Sequence, residues 1–411
     1  MFVDRPQRPN GLCFVTDARL KYDRELQDEA GGQPVFTVWG FGNAALGKAG
    51  WAGVTRVALF DYGEDTGALR PEWAQWARDW RTAHPKKSEK QAHKLALAKQ
   101  RLAIREELRE FLRTEKFRCV VVLQTRGAEQ KSKEEFGDAK GLKGTTCWDA
   151  LNAPDSLVEM SGCVWDSAFG PVMPLINPIN YEKVYGELIR RQLRGAWALA
   201  TGKERVFRPE PAKLYYETRD TLAGLRHILA SALRDVPLAV DIESYSPQDL
   251  ITAIGLSDGE YSVSVPWDTF AVYGADRTEP GFLGTGGQEE TLTRQILASN
   301  CAKIFHNYTY DVPFLERRGV PVRGALHDTM AMHGVVYKQW RHGLQRATSG
   351  EFLIPPWKSE YNPKHDGLTK DDPESWILDP HALRHYNTLD SWYTWHLAKA
   401  LAWKVGLKWP L

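Results

Sequence analysis

The chain has 411 residues, 43% hydrophobic and 26% charged, a length that predicts two or three domains, each burying its own core. Its formal net charge of +1 excludes a global attraction to polyanions, so any nucleic-acid site has to be a local basic patch. Cys13, Cys119, Cys147, Cys163 and Cys301 form no C-x-x-C pair, which argues against a zinc site and predicts reduced thiols. The N-terminus lacks an apolar signal core and no apolar run reaches membrane length, so the expectation is a soluble, cytoplasmic protein with no membrane partner.

In chain order, Val35 to Trp39 reads as a buried strand entering Gly40 to Ala49, which nearly spells a P-loop. Ala49 stands where a Ser or Thr hydroxyl would hold magnesium, and the next apolar run, Val57 to Asp61, follows too soon for a crossover helix. A glycine-rich strand-to-helix turn is the expectation there. Trp73, Trp76 and Trp80 follow Pro71 at helical spacing and read as a core stripe. Residues 87 to 115 predict a long amphipathic helix with Leu95, Ala98, Leu102 and Leu112 near one face. Between residues 86 and 118 there are eleven Lys or Arg and five Glu, the most basic stretch of the chain. Such a helix either tracks a phosphate backbone or presents a solvated face tempered by Glu106 and Glu110. A strand at 117–123, a Gly/Lys-rich loop at 127–146, a strand at 172–176 and a helix at 181–200, patterned by Val184, Leu188, Leu193 and Trp197, complete an α/β layer domain over residues 1–205.

The segment Val172-Met173-Pro174-Leu175-Ile176-Asn177-Pro178, followed by an Arg-rich helix, resembles the C-terminal part of the uracil-DNA glycosylase fold. In that family a His-Pro pair occupies the loop and an acidic Gly/Pro-rich motif activates water. Here Asn177 replaces the His, and Gly40-Phe41-Gly42-Asn43 offers no acid. The resemblance therefore implies a degenerate glycosylase-like, non-catalytic scaffold.

The polar, proline-bearing stretch from Gly202 to Pro211 marks a boundary, with a linker at 206–214 and a second α/β domain at 215–411. After a helix at 218–233 comes Leu238-Ala239-Val240-Asp241-Ile242-Glu243. Residues two apart on a strand share a face, so Asp241 and Glu243 project together while Val240 and Ile242 face the other way. Two carboxylates this close repel unless a cation lies between them, and a hard divalent metal is the usual one. Runs at 250–257 and 261–265, joined at Asp258-Gly259, predict a hairpin and hence a three-stranded meander. A strand at 302–305 delivers Asn307, Tyr310 and Asp311 to a helix N-terminus, and Asp328 reads as a structural N-cap. In the final helix, 380–405, Tyr386 and Asp390 stand at i and i+4 on a face shared with Leu383, Leu397 and Leu401, where an Asp needs a partner.

Asp241-Ile242-Glu243, Asn307-Tyr308-Thr309-Tyr310-Asp311 and Tyr386-Asn387-Thr388-Leu389-Asp390, with motif aspartates 70 and 79 residues apart, resemble the three motifs of the DEDD exonuclease superfamily with a tyrosine-type third motif. The spacing is similar to the proofreading domain of family A DNA polymerases, and His327 to His333 with Pro356-Trp357-Lys358 look like the bacteriophage members. The resemblance implies an RNase H-like fold with a mixed sheet and a 3′→5′ exonuclease using two Mg²⁺ or Mn²⁺ ions. On that basis Asp241 would bridge the ions, Glu243 and Asp390 would complete one site, and Asp311 would hold the second. Tyr386 would orient the attacking water; Asn307 and Tyr310 would contact the terminal nucleotide. The implied substrate is a single-stranded or frayed 3′ end of DNA. Only 21 residues follow Asp390, too few for a polymerase, so the expected partner is a separate DNA polymerase. Ribonuclease D carries the same motif type, which leaves RNA open, as does a non-catalytic nucleic-acid-binding or polymerase-docking module.

Overall fold

The computed structural model describes residues 2–7, 9–18, 46, 54–60, 70–123, 151, 160–175, 178–245, 250–267, 287–338, 340–360 and 380–411. They form two compact units, Met1–Val206 with Phe352–Pro355, and Phe207–Glu351 with Pro356–Leu411. Both are α/β with mixed parallel and antiparallel sheets. No described helix is long and apolar enough to cross a membrane.

The first unit contains β1 (Phe2–Asp4), β2 (Leu12–Ala18), β3 (Thr55–Phe60), α1 (Pro71–Ala83), α2 (Glu89–Glu115), β4 (Cys119–Leu123), β5 (Trp165–Ser167), β6 (Gly170–Leu175) and α3 (Pro178–Ala200). Its sheet runs β1-β3-β2-β4-β6-β5, parallel from β3 to β6 and antiparallel at both edges. β4 is buried along its whole length, as an apolar run in a parallel sheet covered on both faces must be. Its period of two divides the core: Cys119, Val121 and Leu123 pack with Ile189, Leu193 and Ala196 of α3. Val120 and Val122 pack with Ile104, Leu108 and Leu112 of α2 on the other face.

Two expectations need correction in this unit. The tryptophan stripe is not core: α1 packs on α2 and buries none of its residues fully. Trp76 and Trp80 stack at 6.4 Å, Trp80 stacks on His84 at 4.5 Å, and Lys99 Nζ lies 5.0 Å from the Trp76 ring. Among the described residues α1 packs on α2, and each of the three indoles is half-buried. Of the four residues expected on the inward face of α2, Leu112 is buried, but Leu95 is 43% and Leu102 58% exposed, and Ala98 is exposed as well. Ala92, Ala96, Gln100, Ile104, Leu108 and Leu112 are buried instead. Steps of four residues overshoot one turn by about 40°, so this stripe winds around the helix, and a count of large apolar residues along a fixed face misses it. The helix starts on a Ser88–Gln91 capping box. Arg109 pairs with Glu106 and Arg113 with Glu110, the solvated-face arrangement. Val35 to Trp39, the P-loop-like glycines, the loop at 127–146 and Asn177 lie outside the described residues.

The second unit contains β7 (Leu214–Tyr215), α4 (Thr221–Ala232), β8 (Leu238–Tyr245), β9 (Leu250–Ser257), β10 (Ser262–Pro266), α5 (Gln288–Leu297), β11 (Lys303–Phe305), α6 (Tyr308–Arg317), β12 (Leu326–Asp328), α7 (Thr329–Val336), α8 (Leu344–Ser349), α9 (Trp357–Glu360) and α10 (Pro380–Ala402). Its sheet runs β12-β11-β8-β9-β10-β7. The meander β8-β9-β10 is antiparallel, and β11 and β12 join it in parallel. The stretch read as a linker is held to this unit: the Phe207 ring lies 4.8 Å from that of Trp392, and Tyr393 Oη donates to the Phe207 carbonyl.

The alternation along β8 decides where the site forms. Leu238, Val240 and Ile242 enter the apolar core with Leu225 and Ile228 of α4, Ile296 of α5, and Phe314 and Leu315 of α6. Ala239 packs on the other face, against Trp395 and Ala398 of α10. Asp241 and Glu243 share that second face by strand period. Opposite them on β9 stand Gly255 and Ala253, and β10 contributes buried Ser262 and Ser264. This small-residue surface lets α10 approach closely: a Cβ on Gly255 would lie 2.7 Å from the Asn387 carbonyl oxygen. The seam is polar and satisfied, with Ser262 Oγ donating to the Thr388 carbonyl at 2.8 Å and Ser264 Oγ to Asn387 Oδ1 at 2.7 Å.

Candidate metal centre

Three segments far apart in sequence converge on the α10 face of β8. Asp241, Glu243 and Asp390 each present a carboxylate oxygen within 4.8 Å of the others. Glu243 and Asp390 are buried, and Asp241 is half-buried. Asp311, in the first turn of α6, is 5% exposed; it lies outside that triplet but close enough that the charge of Asp241 helps to raise its pKa.

How these side chains are held differs from one to the next. Asp241 Oδ2 accepts a 2.9 Å hydrogen bond from Asn387 Nδ2, one turn ahead of Asp390 on α10. Both oxygens of Asp390 are engaged: Trp357 Nε1 donates to Oδ1 at 2.6 Å, and Lys358 Nζ to Oδ2 at 2.5 Å. Lys358 Nζ also donates to Tyr386 Oη at 2.6 Å, and it lies 4.7 Å from that ring's centroid. Glu243, 8% exposed, and Asp311 accept no side-chain hydrogen bond from any described residue.

The electrostatics follow from this crowding. Burial, then the charge of Asp390, pushes Asp241 up to about 8, against the partial relief of Lys358 and Asn387. Glu243 is raised well above the carboxylate range by burial and then by Asp241 and Asp390. Asp311 is raised by burial and then by Asp241, Asp328 and Asp390. Burial draws the Lys358 ammonium down, but Asp390 and Tyr386 outweigh it and the net shift is upward. Burial and then Asp390 raise the Tyr386 phenol. These shifts describe crowded carboxyl groups that keep their protons unless a cation joins them.

The rim holds the remaining predicted residues. Asn307 adopts a left-handed conformation, φ +82°, and its Oδ1 accepts from Thr309 Oγ1 at 2.6 Å. Tyr310 is 41% exposed, shares a 2.6 Å hydrogen bond with Ser244 Oγ, and packs on Phe314. Asp328 is structural: as the N-cap of α7 it accepts from Met330 N and Ala331 N, and it also accepts from Asn307 N and Tyr308 N. One carboxylate thereby ties two helix N-termini together and sets the entry of α6, which carries Asp311.

Asn387, Gly255, Trp357 and Lys358 are the residues that motif reasoning gave no role. Asn387 could have been found, since it sits inside the third motif beside Tyr386. Gly255 carries no local signal, because the helix it accommodates lies more than a hundred residues away. The all-oxygen cluster of Asp241, Glu243 and Asp390 could hold a metal ion. Searches against protein-family models and against curated proteins found no match for this chain.

Proposed function

We propose that the second unit is an RNase H-like, divalent-cation-dependent 3′→5′ exonuclease that releases 5′-mononucleotides from single-stranded or frayed 3′ ends of DNA. The observation that carries this reading is the convergence of Asp241, Glu243 and Asp390, whose carboxylate oxygens lie within 4.8 Å of one another, with buried Asp311 near enough for its pKa to feel their charge. A buried carboxylate with no donor and no counter-ion costs several kcal/mol, roughly, and a bound cation offsets that cost. Mg²⁺ or Mn²⁺ held by these carboxylates would supply phosphate charge neutralisation, an acidified water and leaving-group stabilisation.

The chain's own residues account for the rest. Lys358 occupies the Tyr386 oxygen as donor, which leaves the phenol proton to hold a water in line with a phosphate. Asn387 fixes the orientation of Asp241, and Trp357 that of Asp390. Asn307 and Tyr310, at the rim, would meet the terminal nucleotide, Tyr310 through its exposed ring. In this reading the first unit is a non-catalytic, glycosylase-like scaffold, and a separate DNA polymerase supplies the 3′ ends to be edited.

The test is digestion of 5′-labelled single-stranded DNA, primer-template and RNA, side by side, with Mg²⁺. The Asp241→Ala, Glu243→Ala double variant should lose release of 3′-terminal nucleotides and keep its circular dichroism spectrum. Undiminished release by that variant overturns the assignment, and preferential digestion of RNA overturns the substrate.

A further inference from the structure

One side-chain cation of the chain reaches the acidic cluster. Lys358 Nζ donates to Asp390 Oδ2 at 2.5 Å and to Tyr386 Oη at 2.6 Å. Among the described residues no other Lys or Arg pairs with Asp241, Glu243 or Asp390. The fold aims this side chain from both ends of its backbone. The Lys358 main-chain N–H donates to Gln345 Oε1 at 2.9 Å. The preceding Trp357 is fully buried, stacks on Tyr393 with centroids 4.0 Å apart, and donates to the other oxygen of Asp390. An ammonium has three N–H groups, and Asp390 and Tyr386 take two of them. The third has no acceptor among the described residues, and the lysine side chain is 31% exposed where that of Asp390 is 6% exposed. The site thus holds an anchored cation with one donor left over and solvent within its reach.

We infer that Lys358 is a further catalytic residue, whose third N–H donates to a non-bridging oxygen of the 3′-terminal phosphodiester. The inference rests on the exonuclease reading for the reaction itself. Asp241, Glu243 and Asp390 are the carboxylates placed to share a divalent cation, and the ammonium stands one hydrogen bond away from the last of them. Each carboxylate oxygen has two acceptor positions, so Asp390 can meet the lysine and a cation together. A phosphate drawn to that cluster therefore arrives beside Lys358, and the lysine charge offsets the repulsion from the acids. A donor already fixed by two other bonds reorganises little as charge develops on the phosphate, which is the condition under which such a donor contributes most to rate. The same two bonds hold Tyr386 Oη, and with it the water that Tyr386 orients, in a set relation to the phosphate the lysine would bind.

Binding and chemistry are measured separately on the full chain, with a single-stranded DNA oligonucleotide whose last linkage is either a phosphodiester or a methylphosphonate, which lacks the charged oxygen. Affinity is read by fluorescence anisotropy in Ca²⁺, and release of the terminal nucleotide by single turnover in Mg²⁺. Lys358→Met should weaken binding of the phosphodiester by about tenfold and change binding of the methylphosphonate by less than about twofold. Lys358→Arg, which keeps the charge, should bind the phosphodiester within about threefold of wild type. In Mg²⁺, Lys358→Met should release the nucleotide roughly a hundredfold more slowly at saturating enzyme. Equal losses on the two oligonucleotides, or an undiminished affinity for the phosphodiester, overturn the inference, since a lysine that only braces the fold does not distinguish the linkages. Lys358→Gln, whose shorter amide can still donate to Asp390, is read by the same criteria if Lys358→Met loses its native circular dichroism. The two ideas fail separately: selective loss on the phosphodiester with no nucleotide release by the wild-type chain refutes the exonuclease reading alone, and release by the wild type with equal losses on both linkages refutes the lysine inference alone.

Discussion

Adding a single methyl group at Gly255, on β9 and across from Asp241, tests whether the close approach of α10 builds the site. The new Cβ would lie 2.7 Å from the Asn387 carbonyl oxygen and 2.8 Å from its Oδ1, closer than side-chain carbons approach other atoms in folded proteins. Restoring ordinary contact at 3.4 Å requires α10 to retreat by about 0.7 Å at this point. That movement stretches the 2.9 Å hydrogen bond from Asn387 to Asp241 past its useful range and carries Tyr386 and Asp390 with it. Overpacking plus one lost charge-assisted bond predicts about 2–4 kcal/mol of destabilisation for Gly255→Ala. A displacement approaching 1 Å in a positioned catalytic group predicts a loss of roughly ten- to a hundredfold in nucleotide release. Urea unfolding and single-turnover digestion of labelled single-stranded DNA measure the two effects. Gly334→Ala in α7 is the control, since its Cβ would meet nothing closer than 3.8 Å, and it should be neutral or stabilise by up to about 1 kcal/mol. Gly255→Ala within about 0.5 kcal/mol of wild type and twofold of its activity would refute the reasoning.

Two further outcomes follow from the same geometry. Trp357→Phe keeps an aromatic ring against Tyr393 but removes the 2.6 Å N–H bond to Asp390, so stability should fall by about 1.5–3 kcal/mol, with Mn²⁺ affinity lowered less than by Asp241→Ala; an unchanged denaturation midpoint would contradict the role assigned to the indole. In chelator, stability should peak at about pH 6. Asp241 (folded pKa about 8) and the raised Glu243 and Asp311 lose stabilisation from the unfolded carboxylate range upward through their folded values, a loss that nothing opposes above the peak. Below it, His306, His385 and His396, depressed to about 4 by burial, and His333, to about 3, lose stability as pH falls from 6.5 toward those values. Mg²⁺ should raise the melting temperature more at pH 8.5 than at pH 6.5, and an equal rise at both would argue against cation binding by the raised carboxylates.

Much of the second unit was legible because its signals are local. Period-two alternation in β8, the Asp258-Gly259 turn and the i, i+4 relation of Tyr386 and Asp390 each need fewer than ten residues to read. The N-cap reading of Asp328 was sound for the same reason, although its second task, holding the N-termini of α6 and α7 together, needs the folded chain. In the first unit the buried strand at β4 was legible, while β1, β2 and β5 and the burial of α1 and α2 were not. Trp73, Trp76 and Trp80 signal a helix correctly, but whether an indole is covered depends on its neighbours in the fold, and α1 buries none of its residues fully. In α2 the large leucines drew the eye, while the buried stripe begins with Ala92 and Ala96.

The sequence by itself determined which acids exist, which of them share a face with a neighbour, and that an apolar strand carrying Asp241 and Glu243 needs a compensating charge, because strand and helix periods are set by backbone geometry. Only the tertiary structure decided where that charge comes from. Hydrogen bonds between Asn387 and Asp241, Trp357 and Asp390, and Lys358 and Tyr386 span up to 146 residues, and they form because Gly255, Ser262 and Ser264 let α10 lie close against the sheet. Closeness of that kind is a property of packed surfaces, and no spacing along the chain encodes it.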